Sequence, residues 1–549
     1  MGRFPGTILY MMYSLLLPLK EKTLFNTKKR TDLICTHPIP FLYRFSFGKF
    51  NIFIIIFSGF VLNTVVLESV GVSFALPVLE CDLHLTHKEQ GIIGAASFAG
   101  VIASSHFWGF LADTTGRKRI MQPALILGFI VTVFSSLSPN FITFAILRFI
   151  NGIIISAGSA TTFVYLGEFH CQKFCNRAIL FGGLISSSLA VFFPIIALAF
   201  INQSWEFHVP FINIVFTPWR SYFLACGLPG LLCGVAMFYL PESPKYLLSA
   251  GKPEEAIEVL IRMHRVNLKD KEPQTEFTII SLLPDAYAPV RKEKSLEKDK
   301  NVFVYIMQLM WHQTAPLFMR EHIRKTFLSC LILYIIFFNA HGLYMWFPYV
   351  LNIAMQYTEK YEDPKRLCDI IKFAKSGNLT NVENDNTEVC SMQLEMSTYF
   401  HSTILEVIYA SMLLITMYLV GKFGRKPMLF VFLFVCGACG ILAFSVPVPL
   451  LAIYLFVIQL CCGVAVNVVN AIVVEIFPTN LRAMAICISL MIGRIGSVTG
   501  SNILGILIES HCELALYSPS VALIVAGALG FLLPKANNVI RSKDQENTP

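Results

Sequence analysis

Four charged residues stand inside long apolar runs of the sequence, and their chemistry needs an explanation first. They are Glu68, Arg148, Glu406 and Arg494. A charge at the centre of a bilayer costs at least about 2.5 kcal/mol even on the mildest scale, so such residues normally face a cavity or a partner. A carboxyl group there can bind and release a proton, and a guanidinium can hold an anion or a buried carboxylate. The sequence therefore points to proton or ion chemistry within a membrane.

Each of these charged groups allows two interpretations. We interpret Glu68, in the middle of its run, as a proton or cation site, and the alternative is a structural hydrogen bond to a neighbouring helix. Arg148, where the interior of its run begins, can serve either function or scaffold. Arg494 could bind an anionic substrate, but the favoured interpretation is an internal ion pair with Glu406 or Glu475.

The apolar runs that hold these residues have the composition of membrane spans. Of the 549 residues, 55% are hydrophobic and only 14% are charged, which is far less charge than a soluble protein carries. Runs near or above the roughly 20 residues that cross a hydrocarbon core predict helices rather than strands. The twelve predicted spans are 51–75, 89–112, 119–138, 141–166, 178–201, 219–240, 326–350, 398–420, 427–446, 449–474, 481–508 and 516–535.

An internal repeat predicts an all-α membrane protein of two pseudo-symmetric six-helix halves. Gly-Arg-Lys occurs at 116–118 and again at 424–426, and a later glutamate recurs at nearly the same offset, as Glu168 and Glu475. Parallel halves of this kind place a substrate site between them. The expected divisions are a cytosolic N-terminal segment at 1–50, a first half at 51–240, a cytosolic linker with short helices at 241–325, a second half at 326–535 with a lumenal loop at 352–397, and a cytosolic tail at 536–549.

Lysine and arginine are concentrated in loops on one side of the predicted bundle. They include Arg117-Lys118-Arg119, Arg425-Lys426, the linker and Lys28-Lys29-Arg30. The positive-inside rule makes that side cytosolic and puts both termini there. The formal net charge of +8 is then a topology signal. No nucleic-acid partner is expected, because no basic patch alternates with exposed aromatic residues.

The segment from Gly109 to Arg119, GFLADTTGRKR, resembles the cytosolic loop signature of the major facilitator superfamily. The resemblance implies a gate in which Asp113 and Arg117 tie helix ends together by charge-assisted hydrogen bonds, with glycines that keep the loop tight. The alternative is a charge cluster that only sets topology. The gating residues implied are Gly109, Asp113, Gly116, Arg117, Lys118 and Glu168 in the first half, and Gly424, Arg425, Glu475 and Arg482 in the second.

Within that superfamily the chain is similar to the synaptic vesicle glycoprotein 2 and SVOP-like branch over roughly residues 50–535. The first-span Glu68, Trp219-Arg220 and Pro241-Glu242-Ser243-Pro244 carry the resemblance. The family pattern also implies that Arg148 is one member of a buried ion pair. Two positions depart from it. The branch usually has an aspartate three residues before the first-span glutamate and another before the second Gly-Arg-Lys, where this chain has Val65 and Gly421. The missing aspartate in the first span weakens any transfer of proton-coupled chemistry.

The loops on the other side carry features of a lumenal surface. Asn202 and Asn378 begin glycosylation sequons in loops assigned to that side. Cys368 and Cys390 share the long loop, where they either form a disulfide or remain free thiols. Trp346 could line the lumenal mouth, although an interfacial aromatic belt is the default interpretation.

The function expected from these features is secondary transport of a small organic solute by alternating access, with Glu68 as a candidate for proton or cation coupling. The alternative is a non-transporting vesicle-membrane scaffold or receptor that retains the fold. We expect no enzyme activity, cofactor or metal site. The expected setting is the bilayer of a vesicle or the plasma membrane, with the protein as a monomer.

Overall fold

The computed structural model describes residues 47–210, 214–268, 314–361, 363–376, 394–477 and 481–534. This part of the chain contains twelve helical spans long and apolar enough to cross a membrane, which confirms the predicted fold class. We number them spans 1 to 12, in the order Lys49–Leu83, His87–Thr115, Arg117–Ser136, Phe141–Glu168, Arg177–Ile201, Pro218–Tyr239, Ile323–Lys360, Met396–Phe423, Arg425–Ser445, Pro449–Ile476, Met484–Ile508 and Cys512–Phe531.

Several spans consist of more than one helical segment. In the first half these are Lys49–Val70 and Val72–Leu83 in span 1, Gln172–Leu189 and Phe192–Ile201 around span 5, and Pro218–Ala236 with a 3₁₀ turn Met237–Tyr239 in span 6. In the second half they are Ile323–Phe337, a π-turn Phe338–Leu343 and Tyr344–Lys360 in span 7, and Pro449–Leu460, a 3₁₀ turn Cys461–Val464 and Ala465–Ile476 in span 10. Span 11 lies within the single helix Arg482–Ser510. The shorter elements are helices Pro244–Ser249, Pro253–Leu268 and Leu367–Lys375, a 3₁₀ turn Ala315–Phe318, and antiparallel strands β1 (Phe207–Val209) and β2 (Ile214–Phe216).

Two glycine turns mark corresponding places in the halves. Gly116 joins spans 2 and 3 with a φ of 115°, and Gly424 joins spans 8 and 9 with a φ of 86°. Positive φ strains every residue with a Cβ, so glycine is required for so tight a turn. Arg117 and Arg425 follow directly and begin the next helices. We call the end of the bundle that holds these turns the basic end.

The apolar interior forms three large clusters rather than one. At the end opposite the basic end, buried side chains of both halves share a cluster, in which Trp219 and Phe223 of span 6 lie with Trp346 and Phe347 of span 7. At the basic end the buried members separate into a cluster of the first half, on spans 1 and 3 to 6 and the two short helices after span 6, and a cluster of the second half, on spans 7 to 12. Leu184 of span 5, which is partly buried, packs against the second cluster, but the fully buried cores of the described halves merge only at the opposite end.

Spans 2 and 4 approach to backbone contact within the first half. A Cβ built on Gly152 would lie 2.1 Å from the carbonyl oxygen of Ser97, and one built on Gly100 would lie 2.1 Å from that of Phe149. Small residues allow such approach between membrane helices. The crossing fixes the position of span 4, which carries Arg148 on its buried face.

The disulfide of the long loop differs from the predicted one. Cys368, at the start of helix Leu367–Lys375, is bonded to Cys512 at the start of span 12, 144 residues away. The proposed partner Cys390 lies outside the described residues. The prediction was wrong because it considered only cysteines within one loop, whereas the helix brings Cys368 back against the bundle, where it is buried.

Trp346 also lies elsewhere than predicted. It is fully buried, and its indole donates a hydrogen bond of 2.9 Å to the carbonyl oxygen of Ser501 in span 11. Its ring meets His87 of span 2 edge-on. Gly505 makes room for it, since a Cβ there would lie 2.3 Å from the indole. Trp346 thus packs between spans and belongs neither to an aromatic belt nor to an open mouth.

Candidate functional site

Glu68 and Arg148 form a buried ion pair inside the first half. Arg148 Nη1 lies 3.1 Å from Glu68 Oε2, and the side chains are 1% and 2% exposed, respectively. The other guanidinium nitrogen donates to the Glu68 backbone carbonyl, and Thr132 donates to Glu68 Oε1 at 2.8 Å. The ion pair and its side-chain hydrogen bonds join spans 1, 3 and 4, and the guanidinium also lies over the ring of Phe223 in span 6, 5.0 Å from its centroid. The arrangement supplies the predicted ion pair for Arg148 and leaves both interpretations of Glu68 standing.

Glu406 of span 8 is the second buried carboxyl group. Tyr344 of span 7 donates a 2.6 Å hydrogen bond to its Oε1. Glu406 is 5% exposed, and the described residues place no basic side chain within 4 Å of it. It therefore differs from Glu68, whose charge is compensated by a guanidinium.

Arg494 does not form either ion pair expected of it. Its Nη1 donates to Ser105 Oγ of span 2 at 2.8 Å, and its Nη2 lies 3.5 Å from Ser159 Oγ of span 4. Glu406 faces Tyr344 instead, and Glu475 pairs with Arg425 at 2.5 Å. Span 11 packs beside span 2 of the other half. The Arg494 side chain therefore contacts hydroxyl groups of the first half rather than an acidic side chain of the second.

The residues predicted to form a gate in the first half meet around Arg117. Its Nη2 lies 2.9 Å from Asp113 Oδ1 and 3.0 Å from Glu168 Oε1, which ties the end of span 2 to the end of span 4. Lys118 donates to the Leu240 carbonyl at 2.7 Å at the end of span 6. Gly109, which the resemblance placed in the tight loop, instead lies inside the helix of span 2 with open space where a Cβ would be.

The copy in the second half is simpler and more exposed. Arg425 pairs with Glu475, and these side chains are 35% and 42% exposed, against 10% and 8% for Arg117 and Glu168. Arg425 also donates to the carbonyl of Ala471 at 2.7 Å. Arg482 donates to the Phe477 carbonyl at 3.0 Å. The residue before the Gly424 turn that resembles the aspartate position is Gly421, so this copy has no counterpart of the Asp113 contact.

Glu242 has a role that the sequence did not reveal. Its Oε1 accepts hydrogen bonds from the backbone N–H groups of Arg117 and Lys118, both at 3.1 Å, and Oε2 accepts from Arg119 at 3.4 Å. A carboxylate at a helix N-terminus satisfies free N–H groups and interacts favourably with the helix dipole. The only signal in the sequence was its place in the Pro-Glu-Ser-Pro segment, which does not name a partner 125 residues away.

Replacing Glu242 by alanine is expected to lower stability by about 2 kcal/mol, because it leaves the first turn of span 3 without its anionic cap. The thermal midpoint of the purified protein would measure this. Glu254, exposed at the start of helix Pro253–Leu268, is the matched control, and Glu254→Ala should leave the midpoint nearly unchanged. Equal midpoints for both variants would contradict the capping role.

The two predicted glycosylation sites differ in whether the structure describes them. Asn202 ends span 5 and is half-buried, with its amide oxygen enclosed and without a partner. Asn378 lies outside the described part of the chain.

Near the basic end, burial lowers the pKa of His170 below its usual range. Within the described ranges no group of three or more histidine, cysteine or acidic residues could hold a metal ion.

These features together define a class: a multi-pass membrane protein with twelve spans in two related halves, braced by duplicated charged turns. The chain belongs to the Major Facilitator Superfamily, whose sequence profile matches residues 51–364 and 394–548. This match confirms the resemblance found in the motifs. The family is one of membrane transporters, generally not enzymes.

Curated relatives and solved structures support the same assignment. Synaptic vesicle glycoprotein 2B of Homo sapiens is 27% identical over 319 residues, which are 55% of this chain and 45% of the relative. Synaptic vesicle glycoprotein 2C of Homo sapiens is 24% identical over 382 residues, which are 64% of this chain and 50% of the relative. The chain thus spans about half the length of the curated relatives it matches.

The fold is also that of solved transporters. The xylose transporter XylE from E. coli, in a partially occluded inward open conformation, superposes with a TM-score of 0.56 at 15% identity, covering 88% of this chain and 99% of that one. A bacterial homologue of the human lysosomal transporter Spinster gives a TM-score of 0.55 at 14% identity, covering 89% and 97%. At these identities the likeness concerns the fold alone.

Proposed function

We propose that the chain is a secondary active carrier of a small organic solute that works by alternating access. The observation that carries the proposal is the distribution of the apolar core. The halves share a buried cluster at one end of the bundle and have separate clusters at the other. Two bodies whose fully buried cores merge at one end only can rock, and rocking exposes a site between them first to one side and then to the other.

The basic end is taken to be the cytosolic one, by the positive-inside rule. The disulfide between Cys368 and Cys512 supports this orientation, because it lies at the opposite end and disulfides persist on the non-cytosolic side. A path from the cytosol would then run between the separate clusters. The setting proposed is a vesicle or plasma membrane, with both termini cytosolic.

Coupling to protons through Glu68 is a finer part of the proposal. The ion pair with Arg148 is a group whose partners change if Glu68 takes up a proton, because a neutral carboxyl no longer compensates the guanidinium. Glu406 is a second candidate, as a buried carboxyl group with a tyrosine partner. The valine at position 65, where the related branch has an aspartate, leaves a single carboxyl group in this part of span 1.

The rocking motion is tested by locking the shared core. His87 of span 2 and Tyr349 of span 7 meet across the halves, with 3.4 Å between Nε2 and the hydroxyl oxygen. The variant His87→Cys/Tyr349→Cys should bind Cd²⁺ between its thiolates and hold that end closed. Uptake into proteoliposomes, of a solute found by screening small metabolites, should fall about tenfold or more with Cd²⁺ and recover with a chelator.

The single variants His87→Cys and Tyr349→Cys with Cd²⁺ are the matched controls, and they account for binding to the native thiols. A chelator rather than a reductant reverses the lock because the native disulfide must stay intact. Uptake that continues at full rate in the locked double variant would refute alternating access. A screen in which no solute is taken up by well-folded protein would favour the scaffold or receptor function.

A further inference from the structure

Arg494 differs from the other arginines buried in the spans by the charge of its partners. Arg117 lies 3.0 Å from Glu168, Arg148 lies 3.1 Å from Glu68, and Arg220 lies 3.6 Å from Asp82. No carboxylate of the described residues lies within 4 Å of Arg494. Its partners are two serine hydroxyls, which accept hydrogen bonds but carry no net charge.

A charged guanidinium inside a membrane span raises the free energy of the folded protein unless an anion compensates the charge. In the other three sites the protein supplies the anion. At Arg494 the hydroxyl of Ser105 is itself engaged with Ser156, at 3.2 Å, and also donates to the backbone of Val101 at 2.5 Å. The serines therefore position the guanidinium without neutralising it. The described residues thus leave the positive charge of Arg494 without a compensating carboxylate within 4 Å.

The surroundings of Arg494 form a site with a closed side. One turn further along span 11, Ser497 Oγ lies 2.9 Å from Nδ1 of His341 in the π-turn of span 7. The His341 ring stacks on Phe98 of span 2, with centroids 5.1 Å apart. Since spans 2 and 11 run in opposite directions, Phe98 and Ser497 both lie nearer the shared core than Ser105 and Arg494. The aromatic stack closes the site toward the end where the halves join.

The remaining access is from the basic end. The side chain of Arg494 is half-buried rather than enclosed, and so are those of Ser105 and Ser159. The two serines engage only two of the five N–H groups of the Arg494 guanidinium, so N–H groups remain for a further partner. The guanidinium thus has donor capacity on its open side, and a planar fork of N–H groups matches a carboxylate or phosphate.

We propose that the solute held between the halves is a small organic anion, whose carboxylate or phosphate pairs with Arg494 while Ser105 and Ser159 hold the guanidinium in place. This substrate class rests on the proposed carrier function, but binding itself does not require transport. Because Arg494 belongs to the second half and the serines to the first, the guanidinium that would hold the anion is positioned by both halves.

The test is a comparison of probes that share a ring and differ in charge, namely benzoate, phenyl phosphate and benzamide, binding to the full chain purified in detergent. Benzoate or phenyl phosphate should bind, and neutral benzamide should bind at least about 30-fold more weakly. Which of the two anions binds more tightly assigns the charged group. Arg494→Gln should weaken binding of the anion by a similar factor. Arg262→Gln removes one positive charge from an exposed helix and should leave binding unchanged.

The wild-type contrast between benzoate and benzamide does not depend on how well a variant folds, and Arg494→Lys, which keeps the charge, should retain the preference for the anion. Equal binding of all three probes, or anion binding that survives Arg494→Gln, would overturn the site. Anion binding without uptake in proteoliposomes would support the site and count against the carrier function. Uptake of a neutral solute that is insensitive to Arg494→Gln would support the carrier and overturn the anion proposal.

Discussion

Arg148→Met should destabilise the protein by about 3–5 kcal/mol, because it removes one member of a buried ion pair and leaves the other charge uncompensated. Glu68 has no other cation within reach among the described residues, and its side chain is 2% exposed. Water therefore cannot replace the guanidinium. A large fall in the thermal midpoint and in the yield of monodisperse protein would measure the effect.

Replacing Glu68 is expected to lower the stability less than replacing Arg148 does. Glu68→Gln keeps the backbone carbonyl that accepts from Arg148 and one side-chain oxygen, which can face Thr132 or Arg148 but not both, and it loses the charge. The double variant Glu68→Gln/Arg148→Met should be more stable than Arg148→Met alone, because no unpaired charge remains. If the three variants lose stability additively, the pair is not coupled and the ion pair is not what holds spans 1 and 4 together.

The same variants separate the two interpretations of Glu68. If Glu68 carries the coupling proton, Glu68→Gln should fold and lose the pH dependence of uptake. If its role is structural, uptake should keep its pH profile and only the midpoint should fall. Glu406→Gln is the matched variant in the second half, since Glu406 has a hydroxyl partner and no cation.

Gly152→Val is expected to prevent folding or to destabilise the protein by at least about 3 kcal/mol through overpacking. A Cβ at this position would lie 2.1 Å from the backbone oxygen of Ser97, and a backbone atom cannot turn aside as a flexible side chain can. Spans 2 and 4 would have to separate. Size-exclusion profiles and thermal midpoints of the solubilised protein would report the loss.

Gly183→Val is the matched control. It makes the same change within a span helix, at a position where a Cβ would meet nothing within 4 Å. It should fold like the wild type apart from the modest penalty of valine in a helix. Comparable yields and midpoints for the two valine variants would show that spans 2 and 4 are not held at backbone contact.

The fold was predictable because its signals are local. A run of about 20 apolar residues identifies a span without knowledge of its neighbours, and the Gly-Arg-Lys repeat identifies the halves. Span bounds differ mainly where helices continue beyond the apolar run, as in span 1, which extends to Leu83. The family followed from motifs that are contiguous in the chain.

Side-chain partners were harder to predict, because they depend on how spans tilt and rotate against one another. The sequence indicated an ion pair for Arg148 but not that Glu68, 80 residues earlier, completes it. Arg494 and Ser105 are 389 residues apart, and both acids considered for Arg494 have other partners. Glu242 and the bond from Cys368 to Cys512 likewise join segments that no local pattern relates.

The π-turn in span 7 changes the direction in which the later side chains of that span point. A π-turn holds one residue more than an α-helical turn, so the side chains after it point about 100° away from where an unbroken helix would put them. Tyr344, on Glu406, and Trp346, on Ser501, both follow the turn. Movement of the turn by one residue would rotate these contacts while both ends of the span stay in place. Span 7 can thus change which neighbours it touches while the half around it keeps its shape.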